Sequence, residues 1–173
     1  METLAHSESH ALETSDNDDQ REVLRRDDSN KVLTFLLANE EYAIDILAIE
    51  EITRPLTITY VPRVPPYIMG VVSLRGRVIP ILDLHARLGL SAFSPGKKNR
   101  FIIFQVEQSG VGIIADRIND VVTLSKHQLQ PAPAKIKASG SGFIKNIGRV
   151  GERMLIILDI EKVLQIHREH VSV

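Results

Sequence analysis

The sequence predicts a mostly-β chain folded as two similar small β-barrels of about five short strands each, with a short helix at each barrel's edge. Three observations predict it. Short apolar runs rich in Val and Ile recur between Gly, Pro, Asn and Ser, the punctuation of strands and hairpins. The second half of the chain echoes the first at a nearly constant offset. Finally, Val71 to Leu84 (VVSLRGRVIPILDL) reads as two apolar strands joined by a Leu-Arg-Gly-Arg turn, with Gly where a tight turn needs it.

At 173 residues the chain suits one domain or two small subdomains sharing a core. Aromatics are 5% and Trp is absent, so the core must be aliphatic. With 0 Cys there is no disulfide, thiolate metal site or cysteine nucleophile. No apolar run approaches the ~20 residues of a bilayer-spanning helix, and the start lacks the basic and apolar regions of a secretory signal. A cytoplasmic protein is expected. Residues 1–30 carry 9 acidic and 3 basic side chains, and the remainder 13 and 18. The first segment, 1–29, therefore reads as a disordered acidic tail with too little apolar surface to fold. The mildly basic remainder has scattered charge and few stacking aromatics, which argues against nucleic acid.

Lys31 to Ala38 is the first strand, Asn39-Glu40-Glu41 a turn, and Tyr42 to Asp45 the second strand. Ile46 to Ala48 forms a helical turn before a third strand, Ile49 to Thr53. Helical spacing also fits Ile44 to Ile52, but the Ile density favours strands. Pro55, Pro62, Pro65 and Pro66 mark an irregular stretch, because each removes a backbone donor and restricts its predecessor. Tyr67 to Met69 is read as one helical turn leading into the hairpin. Leu84 to Leu88 is a short helix stopped by Gly89, and Ser91 to Lys98 is a surface connection. Arg100 to Val106 and Val111 to Ala115 make the next hairpin, around a Ser109-Gly110 turn.

An offset of 69 residues places Phe35 on Phe104, Ile44 on Ile113, Ile49 on Ile118 and Glu51 on Asp120. An offset of 76 places Leu82-Asp83 on Leu158-Asp159, each followed by a short amphipathic helix, Leu84–Leu88 and Ile160–Ile166. The Pro131–Gly142 loop absorbs the difference, as surface loops readily do.

No catalytic constellation emerges. His167 and His170 stand three apart, as metal ligands sometimes do, but read better as a solvated helix end. Gly70 to Gly76 is not a phosphate loop and no nucleophile elbow is present. Ser139-Gly140-Ser141-Gly142 reads as a flexible loop. Asp83 and Asp159 could pose as a carboxylate pair, yet each precedes a helix whose free amides it can cap. The chain reads as a binding module with no cofactor and no metal.

Several segments carry a family resemblance. Asn39 to Leu47 (NEEYAIDIL) resembles the early hairpin of the CheW chemotaxis coupling proteins, and Ile68 to Leu84 resembles their central signature. Val111–Asp116, Gln130–Pro133 and Arg153–Asp159 follow in family order. The match covers about residues 31–166. Ser73 stands where the family often has Asn, and Ala134-Lys135 follow Pro133 where some relatives carry an aromatic serving array contacts.

The resemblance implies a CheW-like domain over 30–168, built as two SH3-like five-stranded β-barrel subdomains, with 169–173 a C-terminal tail too short for a receiver domain. It implies a non-enzymatic adaptor. The expected partners are a chemoreceptor's cytoplasmic hairpin tip, lodged between the subdomains, and the regulatory domain of a CheA-type histidine kinase. Location in the cytoplasm at membrane receptor arrays follows, without insertion into the membrane. The receptor-binding positions that match are Ile49, Glu51, Gly70, Arg75 and Gly76, with Glu51 a possible holder of Arg75. Kinase contact falls on barrel-end loops. Other readings are a scaffold for a gliding, pilus or developmental kinase pathway, or a small-ligand barrel. Taken without the family, Ile49 is ordinary core and Arg75 a solvated turn residue.

Overall fold

A computed structural model describes residues 31–138 and 142–165. The expected tails, His167, His170 and Ser139–Ser141 lie outside the described residues. Among the described residues eleven strands build two sheets. In chain order they are β1 Lys31–Leu37, β2 Glu40–Asp45, β3 Ile49–Thr53, β4 Ile68–Leu74, β5 Arg77–Asp83, β6 Arg100–Val106, β7 Ser109–Ala115, β8 Arg117–Thr123, β9 Leu129–Pro131, β10 Ile144–Val150 and β11 Arg153–Leu158. The α-helices are α1 Leu84–Leu88, α2 Ala134–Ala138 and α3 Ile160–Leu164.

The repeat is present, but the repeating unit is not the folding unit. β1 and β6 correspond at the offset of 69, and β4 with β10 and β5 with β11 at 76. The sheets nevertheless exchange strands: one runs β8-β1-β2-β11-β10-β9, the other β3-β6-β7-β5-β4. The first hairpin of each half thus completes the sheet of the other half. Equivalent parallel pairs close the two exchanges, Ala43 on Ile157 and Ile81 on Gly112.

Burial on both faces explains the apolar runs of β1 and β6, which the buried Thr34 interrupts in β1. Successive side chains of a strand face opposite ways. On β6, Ile102 and Phe104 face a cluster shared by both sheets, with Leu33, Phe35, Tyr42, Ile113 and Val163, while Phe101 and Ile103 face a cluster inside one sheet with Val72, Ile79 and Ile81. The second sheet encloses Val32, Ala43, Leu124, Leu155 and Ile157. Each sheet thus has its own apolar cluster and the shared one fuses the two small subdomains into one body, the arrangement expected of the SH3-like pair.

Caps and turns follow the local chemistry. Asp83 accepts from the amides of His85 and Ala86, Asp159 from that of Lys162, and Gly89 ends α1 in the left-handed region. A 3-10 turn at Ile46–Ala48 is capped by Asp45. Four expectations need correction. Ile68 and Met69 belong to β4, because pairing of Ile68 with Leu82 extends the hairpin back to them. The first turn is Ala38-Asn39, both at positive φ, so Glu40 and Glu41 join β2. Ser109 and Gly110 lie within β7 and the turn falls at Glu107; Gly110 is small because a Cβ would lie 3.2 Å from Ile79. The Pro131–Gly142 connection holds the helix α2.

Candidate functional site

The β4–β5 turn places Arg75 and Gly76 at φ 50° and 77°, the geometry of a two-residue type I′ turn. Both arginines flanking Gly76 reach across to β3. Arg75 forms a two-pronged ion pair with Glu51, one prong being Nη2 to Oε1 at 3.0 Å. Arg77 pairs with Glu50 and donates to Gln105 of β6 at 3.4 Å. Adjacent residues on a regular strand would face opposite ways. Here β3 is bulged against β6, since Ile49 pairs with Phe104 but Glu51 with Ile103. The extra residue lets Glu50 and Glu51 both meet the hairpin.

The repeat supplies a built-in comparison. Arg153 falls on Arg77, Asp120 on Glu51, and Gly151 on Arg75. A matching bulge lies on β8, where Val121 pairs with Leu33 and Ile118 with Phe35. There a single guanidinium serves two carboxylates. Arg153 donates to Glu41 (Nε to Oε2 3.1 Å) and Asp120 (Nη2 to Oδ1 2.9 Å), while Thr34 donates to Asp120. Arg153 hydrogen bonds hold both carboxyls below their ordinary pKa, and those same bonds, first from Glu41, raise that of the guanidinium. On the Arg75 side two guanidiniums meet two carboxylates, and the Arg75 side chain is 70% exposed against 38% for Arg153.

Of the expected site residues, the structure joins Glu51, Arg75 and Gly76 in one cluster. Ile49 heads the same strand and packs, half-buried, on the shared core. Gly70 stands apart, near the start of β4. Thr59 crosses β4 there through paired backbone bonds with Val71, and a Cβ on Gly70 would lie 2.3 Å from the Thr59 carbonyl oxygen. Its smallness thus has a structural cause, since any side chain there must displace the Thr59 backbone. Residue reading missed Glu50–Arg77 and the Glu41–Asp120–Arg153 cluster. The offsets that align Glu51 with Asp120 and β5 with β11 point to the latter.

Gln105 links the arginine turn to a groove. It accepts from Arg77 and donates to the Glu107 carbonyl at 3.0 Å. The groove, about 490 Å³, runs between the end of β6 and α3, with Ala48, Phe104, Val106, Ile160 and Leu164 as its apolar lining. His85 is buried and joins the Ser91 carbonyl to Asp116, whose other oxygen accepts from the amide of Ala38. It is a structural tie. Among the described residues no group of acidic and histidine side chains could hold a metal ion, and no helix is long and apolar enough to cross a membrane.

The fold is two interlocked small β-subdomains with an exposed arginine turn beside an apolar groove, the surface of a binding module rather than of a metal or catalytic centre. Comparison with known proteins agrees. The CheW-like domain family matches residues 31–168. A "Chemotaxis protein CheW" of Klebsiella aerogenes is 39% identical over 132 residues, covering 76% of this chain and 80% of the relative. The protein of that name from Helicobacter pylori is 30% identical over 95% of this chain and 96% of its own. "Protein FrzA" of Myxococcus xanthus is 28% identical, over 69% and 75%. The crystal structure of scaffolding protein TtCheW from Thermoanaerobacter tengcongensis superposes with a TM-score of 0.73 at 28% identity, covering 82% of this chain and 91% of that one. The chain belongs to the CheW family, and is a non-enzymatic scaffold of chemotaxis signalling.

Proposed function

We propose that this chain couples a chemoreceptor to a CheA-type histidine kinase in the cytoplasm, at membrane receptor arrays. The receptor's helical hairpin tip docks along the Arg75 turn, β3 and the adjoining groove. Ile49 and Ala48, both half-buried, give apolar contact, as a helix laid in a groove requires. Arg75, oriented by Glu51, offers its unspent N–H donors to a tip carbonyl or carboxylate. Gly76 keeps the turn free of a side chain, and Gly70 supports β4 beneath it. The kinase regulatory domain engages barrel-end loops elsewhere.

The observation that carries this reading is the contrast within the repeat. At the second turn Gly151 stands where Arg75 stands in the first, and the remaining arginine, Arg153, is shared between Glu41 and Asp120. The first turn keeps an additional, exposed guanidinium at φ 50°, in a region that disfavours residues with a side chain. Folding alone gives no reason for it. Higher identity to proteins named for chemotaxis than to Protein FrzA favours this pathway over a gliding or developmental one. The test is co-sedimentation of the protein with receptor-containing membranes and, separately, with kinase. Arg75→Ala should lose the receptors and keep the kinase; retention of receptor binding would overturn the site.

A further inference from the structure

The groove beside the arginine turn has a one-sided charge. Five apolar residues line it, and its charged residues are Glu107, at the β6–β7 turn, and Glu161, on the first turn of α3. Both are exposed, and among the described residues neither meets a lysine or arginine. Elsewhere on this face carboxylates are matched by arginines: Glu50 by Arg77, Glu51 by Arg75. The α-helix with its side chains is about 10–12 Å across, so a groove of about 490 Å³ admits side chains from one helix face and leaves the rest of that helix over the rim. The rim is where Glu107 and Glu161 stand.

We infer that the helix seated in this groove carries lysine or arginine beside its apolar face, and that those residues pair with Glu107 and Glu161. The inference rests on the docking reading above and adds the chemistry of the partner. It also gives that partner a direction. Arg75 seeks an acceptor at one end of the site, the two glutamates seek a cation at the other, and Gln105 joins the ends through Arg77 and the Glu107 carbonyl. A helix with the opposite charge order would set like charges together, which specificity by charge arrangement excludes.

The probe is a soluble cytoplasmic fragment of a chemoreceptor from the same organism, titrated against the full-length chain at low and high salt. Glu107→Gln with Glu161→Gln should weaken binding roughly 5- to 10-fold at low salt, the scale of two exposed pairs, and flatten the salt dependence. Ala48→Trp, which fills the groove without charge, should abolish binding; Gln165→Trp at the rim does the same job if the first variant melts early. Unchanged affinity and salt dependence in the double Gln variant, with binding lost in the filled variant, overturns the charge inference and leaves the docking reading standing. Wild-type binding by a folded, filled variant overturns both.

Discussion

Replacing Arg75 by alanine should separate recognition from folding. The Arg75 side chain is 70% exposed and its Glu51 partner 19%, and an exposed ion pair contributes ~0–1 kcal/mol to stability. For a domain of this size that is a melting shift of about 3 °C. Once a partner covers the turn, the guanidinium's hydrogen bonds are worth ~1.5–3 kcal/mol, or a loss of roughly 10- to 150-fold in affinity. Arg75→Lys should fall between, because it keeps charge and loses the planar fork. Glu51→Gln should weaken binding by itself, and should add little to Arg75→Ala if its role is to orient that side chain. Arg75→Asn should raise the melting temperature, since Asn tolerates the left-handed turn position better, while still losing the receptor fragment. Calorimetric titration with that fragment and thermal melts of each variant give both axes. Wild-type affinity in Arg75→Ala, or a melt lowered by more than about 10 °C, would refute the reasoning.

Other residues separate along the same lines. Arg153→Ala should cost about 1–2 kcal/mol and alter the acid limb of the stability curve. Glu41 and Asp120 have lowered pKa values when folded, so their contribution is complete above the ordinary carboxylate range and lost as pH falls through the folded values. Denaturant midpoints should therefore drop less between neutral and acid pH in the variant than in the parent. Gly70→Ala should destabilise by about 2–4 kcal/mol, because the added Cβ collides with the Thr59 backbone at φ 145°. Gly76→Ala meets open space and should cost ~1 kcal/mol for its positive φ alone. Receptor binding lost by Gly70→Asp would accordingly report unfolding, visible as a lost melt. Arg87 donates to the Val163 carbonyl at 3.2 Å and to that of Gln165, and lies over Tyr67 and Phe143 at 4.1 and 4.9 Å. Arg87→Ala should cost about 1–3 kcal/mol and speed amide exchange in α3, joining the groove wall to the stability of α1.

What could be read from the sequence was what local chemistry encodes. The strands β1, β3 and β6, the 3-10 turn after Asp45 and the helix between Asp83 and Gly89 carry their own periodicity and caps. Gly110 was misleading because glycine signals both turns and close packing, and here Ile79 is the cause. The exchange of strands between sheets had no local signal. Thr34 meets Asp120 and Arg153 meets Glu41 across long stretches of chain, and a strand with apolar residues on both faces fits several neighbours equally well. Glu51 and Arg75 were connected through resemblance to a family. The bulge that turns Glu50 to the same side shows only in the register. The groove was out of reach for the same reason, being assembled from Ala48, the end of β6 and α3.

The central claim is that the exposed arginine turn couples receptor to kinase without stabilising the fold. Phosphorylation of the kinase in receptor-containing vesicles, with this protein or its Arg75→Ala variant added, tests it most directly. The wild-type chain should raise kinase phosphorylation strongly, and the variant, equally folded and equally able to bind the kinase alone, should leave it near the level without adaptor. Full activation by Arg75→Ala would contradict the account.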